Sequence, residues 1–304
     1  MFHRTVYGSL SALVVVVLGA SAVQCSSSSR DGYEAPPDPD SDAAPPEQLI
    51  SPVDAAAEAS VANGIDQDCT GENKQIYVVT RRPDAIYRFD PASLTFALVG
   101  KIDCPYRNII SMAIDRRGYA WVSVGGAGVV KTVNVRLADL QCKEVVLNNV
   151  PVGMGMYGMG FVKNDSSTGE SLFLHNFSSY LFRVEPATRD VSLVGRSSLE
   201  MAELTGTGDG KLFGYNPGTG VIARFDKTTG ASLETYRTSA VALGNWAFAQ
   251  WGGDFWIFLR EGETGSTVYR YSPATDETTI ATKNTGLDIL GAGSSTCAPF
   301  KPVQ

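Results

Sequence analysis

One short pattern occurs several times along the chain and restricts its fold more than any other feature. YRFDPASLTFALVG, beginning at Tyr87, returns as FRVEPATRDVSLVG at Phe182. Weaker copies, ARFDKTTGASLETY and YRYSPATDETTIAT, begin at Ala223 and Tyr269, and a divergent copy, VVKTVNVRLADLQCKEV, begins at Val129. Self-similarity at a period of roughly 20 to 50 residues is typical of propellers, solenoids and other repeat arrays.

Each copy belongs to a unit with the same internal order. A stretch of small residues such as SMAIDRRG comes first, and a β-rich run such as YAWVSV follows. The Arg-aromatic run leads into turns such as DPAS and SPAT, where proline suits the second position of a type I turn, and then into a last strand. Four short strands per unit of roughly 40 to 50 residues, without an amphipathic helical period, predict an all-β chain folded as a β-propeller.

The two ends of the repeat region predict how the ring closes. The first unit begins at Gln75 with a second-strand sequence, and nothing before it resembles a first strand. LDILGAGSSTCAPF, from Leu287, has the small-residue character of an inner strand. We therefore predict a five-bladed propeller over residues 67–304, in which the C-terminal strand completes the first blade.

Four cysteines fit this closure. Cys69 precedes the second strand of the first blade and Cys297 follows its expected first strand, so a bond between them would tie the two ends of the ring. Cys104, which leaves the first blade, and Cys142, on the last strand of the second, form the other expected pair. Buried free thiols are the alternative. Disulfides persist in oxidising compartments, so this pairing agrees with export.

The N-terminus predicts that export. Arg4 precedes the apolar run LSALVVVVLGA, which is typical of a signal peptide and shorter than the roughly 20 apolar residues of a membrane span. Ordinary cleavage at ASA competes with cleavage at the lipobox-like AVQC, where Gln24 departs from the usual Gly or Ala. We predict a signal peptide over residues 1–24 and lipidation of Cys25, which also explains the odd number of cysteines.

Residues 25–66 are rich in Ser, Pro, Asp and Ala, as in APPDPDSDAAPPEQ. Such a segment cannot bury enough apolar surface to offset its chain entropy, so we predict a disordered tether.

The net charge of -7 and the absence of a Lys/Arg cluster argue against a nucleic-acid partner. The expected partner is instead the membrane, through the lipid anchor. The expected location is the cell envelope, as an outer-membrane lipoprotein facing the periplasm or the cell surface, with secretion as the alternative.

Several segments carry a resemblance to a known group of proteins. These are YRFDPASLTF, SMAIDRRGYAWV, ELTGTGDGKLFG, NWAFAQWGGDFW and the terminal GAGSSTCAP. Over about residues 69–300 the chain resembles uncharacterised predicted lipoproteins that recur in myxobacterial genomes. The resemblance implies a surface or periplasmic propeller and transfers no activity.

Inner strands line the central channel of a propeller, so equivalent positions on them are the candidate ligand contacts. A carboxylate there can accept hydrogen bonds from a hydroxyl-rich or cationic ligand, and an indole offers an apolar platform. Hydrogen bonding between neighbouring blades is the structural alternative. Alignment of the units places at or beside these positions Ser111, Gly158, Glu203, Asn245, Trp246 and Asp288.

Two of these channel residues also raise the possibility of catalysis. Glycoside hydrolysis needs two carboxylates roughly 5 to 10 Å apart, which Glu203 and Asp288 could supply. The inner strands NIISMAI and YGMGFV add no carboxylate, so the usual three-blade set of five-bladed glycosidases and lyases is incomplete. We predict a binding or interaction module for a protein or a glycan. A carbohydrate-active enzyme and an envelope scaffold without a small ligand are the alternatives, and we predict no catalytic residue and no cofactor.

Other motifs have simpler structural interpretations. GMGMYG, from Gly153, matches a dinucleotide fingerprint but continues as a strand rather than a helix. The segment DQDCTGE resembles the start of a calcium loop, yet Tyr77 stands where an EF-hand needs glutamate. His175 lacks the further ligands of a zinc site, so we predict no metal. One arginine recurs in most of the units. We expect its side chain to pair with an acidic neighbour or to cover an aromatic ring with its aliphatic stem, and the arginines concerned are Arg88, Arg183, Arg224 and Arg270.

Overall fold

The structure, a computed structural model, describes Cys69 and residues 71–303 except 106, 107, 127, 128 and 243. Within these residues a short 3-10 helix, Glu72–Lys74, precedes twenty β-strands. The predicted signal peptide, Cys25 and the predicted tether lie outside the described residues and stay predictions. The strands are β1 (Ile76–Arg81), β2 (Ala85–Asp90), β3 (Thr95–Lys101), β4 (Ile109–Ile114), β5 (Tyr119–Gly126), β6 (Val129–Arg136), β7 (Cys142–Val145), β8 (Tyr157–Lys163), β9 (Glu170–Asn176), β10 (Tyr180–Val184), β11 (Val191–Arg196), β12 (Glu203–Gly206), β13 (Leu212–Asn216), β14 (Val221–Phe225), β15 (Ser232–Arg237), β16 (Trp246–Trp251), β17 (Asp254–Arg260), β18 (Ser266–Ser272), β19 (Glu277–Thr282) and β20 (Asp288–Ser294).

The described strands form five antiparallel sheets of four strands each. Four sheets use consecutive strands, and we call them blades two (β4 to β7), three (β8 to β11), four (β12 to β15) and five (β16 to β19). Blade one joins the last strand to the first three in the order β20-β1-β2-β3. Each inner strand contacts the inner strands of both neighbouring blades. The domain is therefore a closed five-bladed β-propeller, which confirms the predicted fold class.

The C-terminal strand closes the ring in the way that the sequence predicted. β20 pairs antiparallel with β1, from Arg81 opposite Asp288 to Ile76 opposite Ser294. Ile289 is fully buried, because this strand lies between blades five and two. Both expected disulfides are present, Cys69–Cys297 across the ring closure and Cys104–Cys142 between blades one and two.

The hydrophobic core lies between the blades rather than at one centre. Large aromatic side chains interlock across several blade boundaries, where edge-to-face packing adds to the gain from apolar burial. Trp121 of blade two meets Phe161 of blade three with ring centroids 5.5 Å apart. Phe89 of blade one meets Trp256 of blade five at 5.3 Å. Trp251 is half-buried beside this second cluster. Trp121 and Trp256 therefore lie at blade boundaries.

Near the channel axis the inner strands approach one another too closely for side chains at several glycines, of which Gly158 and Gly291 are examples. A Cβ atom added to Gly158 on β8 would lie 2.8 Å from Cα of Glu203 on β12. One added to Gly291 on β20 would lie 2.7 Å from the backbone nitrogen of Met112 on β4. The glycine-rich inner strands thus draw the blades together around a narrow axis. GMGMYG accordingly leads into strand β8 and not into a nucleotide-binding helix.

Candidate functional site

A pocket of about 240 Å³ opens at the end of the channel where the inner strands begin, and we call it the mouth pocket. Four of the five blades contribute the first residues of an inner strand or the loop before it, and β20 contributes a residue from its third position. The polar side chains of its lining are Tyr157, Glu203 and Asn245. Its apolar side chains include Ile109, Ile110, Met156, Phe177, Met201, Trp246 and Leu290.

Two aromatic rings stand at the rim of the mouth pocket. Trp246 is the first residue of β16 and is half-buried. Phe177, in the turn between β9 and β10, is 37% exposed, and its ring centroid lies 6.4 Å from that of Trp246. Met156 is also exposed at this rim. Partly exposed aromatic and methionine side chains around a depression are the composition of a protein-binding surface.

Glu203 lies at the base of the mouth pocket and is only 3% exposed. Its carboxyl group accepts a hydrogen bond from the hydroxyl of Ser111, and that hydroxyl accepts one from the backbone N–H of Met159 at 3.1 Å. Burial raises the pKa of Glu203 well above its ordinary value, although the hydrogen bonds from Ser111 and Met159 oppose this. Burial therefore favours the protonated form of this carboxyl group at the base of the pocket.

Asp288, the first residue of β20, is the centre of a charged cluster beside the mouth pocket. Its Oδ2 accepts hydrogen bonds from Nε of Arg81 and, at 2.5 Å, from a terminal nitrogen of Arg260. Its Oδ1 accepts one from Nδ2 of Asn245 at 2.8 Å. Partial burial alone would raise the pKa of Asp288, but these three hydrogen bonds outweigh it and hold the pKa below its ordinary value. Asp288 is therefore ionised at neutral pH.

The candidate residues from the sequence thus separate into two bonded pairs. Ser111 bonds to Glu203 in the interior, and Asn245 bonds to Asp288 at the rim, while Trp246 lines the pocket between them. The pKa values of Glu203 and Asp288 are shifted in opposite directions, as in a general acid–base pair, but protein partners hold both groups here. The roles of these residues in binding, and the enzymatic alternative, stay predictions.

Sequence reasoning missed Met156 and Phe177 of the rim and both arginines of the cluster. Met156 and Phe177 lie in connecting segments, for which the repeat pattern gives no alignment. Arg81 could have been found, because the predicted pairing of the C-terminal strand with the first strand places it opposite Asp288.

The opposite end of the channel is crossed by residues 295–300, which we call the closing segment. Thr296 donates a hydrogen bond to Glu170 of blade three at 2.6 Å. The carbonyl of Pro299 accepts bonds from Gln250 at 3.1 Å and from the backbone of Gly252 at 2.6 Å, both in blade five. Burial raises the pKa of Glu170 to about 7. The closing segment therefore joins blades three and five at this end of the channel.

Three of the four repeated arginines, and His175, have the structural contacts expected from the sequence. Arg224 and Arg270 pair with Glu234 and Asp254, and Arg183 lies near Glu185. His175 is buried, its Nε2 lies 2.7 Å from Oγ of Ser197, and its ring stacks on Phe225.

Within the described ranges, no group of three or more His, Cys, Asp or Glu residues is arranged to hold a metal ion. The described residues also form no helix with the length and hydrophobicity of a membrane span.

Comparison with known proteins finds similarity at the level of structure. No protein-family model matches the chain, and no curated protein matches its sequence. A nidogen/laminin complex contains a chain that is 9% identical with a TM-score of 0.46, over 72% of this chain and 97% of that one. TolB from Acinetobacter baumannii is 13% identical with a TM-score of 0.44, over 73% of this chain and 55% of that one. A protein of unknown function from Bacteroides caccae is 10% identical with a TM-score of 0.39, over 68% and 73% of the two chains.

Proposed function

We propose that this protein is an exported, lipid-anchored propeller of the cell envelope that binds an apolar side chain of a protein ligand in its mouth pocket. The fold is consistent with a binding or interaction module. The observation that carries the proposal is an apolar pocket around Trp246 whose polar side chains already form hydrogen bonds within the protein.

The hydrogen bonds around the mouth pocket favour a protein over a glycan. A sugar presents many hydroxyl groups and needs acceptors for them, whereas the carboxyl group of Glu203 is buried and already bonded to Ser111. Tyr157 bonds to Thr132 at 2.8 Å, and Asn245 bonds to Asp288. The pocket therefore interacts with a ligand mainly through its apolar surface. Full burial of one large apolar side chain of the ligand would stabilise the complex by roughly 1.5 to 3 kcal/mol.

The size of the mouth pocket supports the same choice. Its 240 Å³ is below the range of about 300 to 1,000 Å³ that is common for small-molecule sites. A space of this size suits one side chain of a ligand that makes further contacts with the rim. Aromatic and methionine side chains at the rim are the residue types that protein interfaces favour.

Peptides selected on the wild-type domain from a phage-displayed library should depend on the mouth pocket. We expect Trp246→Ala to weaken their binding at least about 10-fold, because aromatic residues in the middle of an interface often contribute most of its affinity. Trp251→Ala, at the other end of the channel, is the matched control and should bind normally. Calorimetry with the selected peptides measures both. If the domain binds arrayed glycans and selects no peptide from the library, the protein ligand is contradicted. Unchanged affinity in Trp246→Ala would contradict the site.

The proposal also includes the location of the protein in the cell. Two disulfides support an oxidising compartment. The signal sequence, the AVQC motif and the resemblance to predicted myxobacterial lipoproteins support an anchor at Cys25. Expressed in a bacterium with lipoprotein processing, the full chain should incorporate radiolabelled palmitate, and Cys25→Ser should abolish the label without affecting the disulfides. An unlabelled wild-type chain beside a labelled control lipoprotein would show that the anchor is wrong.

A further inference from the structure

We propose that the ligand carries a carboxylate beside its apolar group, and that Arg81 and Arg260 bind this carboxylate at the edge of the mouth pocket. The occupant is a peptide with an apolar residue at its free C-terminus. This inference rests on the proposed function, because it specifies the chemistry of the ligand at the same site.

The strand register places both arginines next to the pocket. Arg81 lies directly opposite Asp288 where β1 pairs with β20. The backbone N–H of Arg260, at the end of β17, donates to the carbonyl of Asn245 at 2.9 Å. Asn245 lines the mouth pocket and precedes Trp246 in the chain. Both guanidinium groups therefore contact Asp288, which itself accepts a hydrogen bond from Asn245 of the pocket lining.

The cluster holds two permanent positive charges against one carboxylate in direct contact. Each arginine directs one nitrogen to Asp288, and no hydrogen bond from the other guanidinium nitrogens of Arg81 or Arg260 occurs among the described residues. Their side chains are 39% and 24% exposed, whereas that of Asp288 is 11% exposed. Glu263 is close enough to raise the pKa of Arg260, but it is fully on the surface and outside the contact. The remaining N–H groups can receive a further carboxylate, for which guanidinium geometry is well suited.

The position of Asn245, which bonds to the charged cluster and is adjacent in sequence to Trp246 of the pocket, favours a chain terminus. In a C-terminal residue the side chain and the carboxylate branch from the same Cα atom. The site has the matching arrangement, since Trp246 lines the pocket and the adjacent Asn245 bonds to Asp288, which both arginines contact. An internal aspartate or glutamate presents the same chemistry, but from a neighbouring residue and at a greater distance from the apolar side chain.

Three peptides test the proposal on the full mature domain. They are acetyl-Gly-Gly-Phe with a free carboxylate, the same peptide as its C-terminal amide, and acetyl-Gly-Phe-Asp-Gly amide. The chain has four tryptophans, so the indole signals in a nitrogen-15 NMR spectrum are few, and Trp246→Phe identifies the one from the pocket. We expect the free carboxylate to shift this signal at a concentration at least about 10-fold lower than either amide, because charge-assisted hydrogen bonds are the stronger class.

Single substitutions separate the charge from the pocket. Arg81→Gln and Arg260→Gln each leave Asp288 with one arginine and Asn245, and each should reduce the preference for the free carboxylate. Arg270→Gln, which removes an exposed arginine paired with Asp254 in blade five, should keep it. Equal binding of acid and amide would overturn the carboxylate inference while leaving the apolar pocket intact. Equal binding of the internal aspartate would overturn the chain terminus, and no shift at Trp246 with any peptide would overturn the pocket as well.

Discussion

A chain that ends at Gly286 will show no cooperative thermal unfolding and no protease-resistant domain. This truncation removes β20, whose residues Ile289 and Ala292 are fully buried between blades. It leaves the whole edge of β1 unpaired and exposes the faces of blades five and two that pack on β20. Because a domain is stable by only about 5 to 15 kcal/mol, the loss of a central strand exceeds what the remaining contacts can supply.

A chain that ends at Phe300 is the matched control for this truncation. It keeps β20, the closing segment and Cys297, and loses only residues 301–304, of which 301–303 are exposed. It should melt within a few degrees of the full chain in circular dichroism and calorimetry. A cooperative transition in the Gly286 chain, at any temperature, would mean that four blades fold without ring closure and would contradict the architecture.

The ring and its closure could be predicted because the number and order of the sequence repeats determine the strand topology. Five copies of one four-strand pattern, with a second-strand sequence at one end and an unused inner-strand sequence at the other, admit few arrangements. The disulfides followed from the same reasoning, because Cys69 and Cys297 flank one loop position of the first blade. The contacts of single side chains could not be predicted to the same degree. An alignment of repeats gives equivalent positions but not the partners that fill the space between them.

Glu203 and Asp288 illustrate this limit at the candidate site. Their equivalent positions on inner strands predicted two similar carboxylates facing one channel. In the structure Glu203 is buried in contact with Ser111, and this burial raises its pKa, whereas hydrogen bonds from two arginines lower the pKa of Asp288. The difference arises from side chains on other blades, and the pocket that results is more apolar than the sequence indicated.

The exchange of both Cys69 and Cys297 for serine should lower the free energy of unfolding by about 5 kcal/mol in the loop-entropy account. This bond spans 228 residues, whereas Cys104–Cys142 spans 38, so the same exchange at the shorter bond should cost about 4 kcal/mol. The longer bond also fixes the closing segment, whose hydrogen bonds reach blades three and five. Its loss should therefore loosen the end of the channel opposite the mouth pocket.

Urea unfolding of the two double-serine variants and the wild type, all at one pH, measures this difference. Wild-type protein reduced with a thiol is the common reference, and it should match a variant that lacks both bonds. Hydrogen exchange should show early opening of residues 295–300 and of the Gly252 amide only when the longer bond is absent, because this N–H donates to the carbonyl of Pro299. A larger loss from the Cys104–Cys142 exchange would show that blades one and two, and not the two ends of the chain, are the weakest junction of the ring.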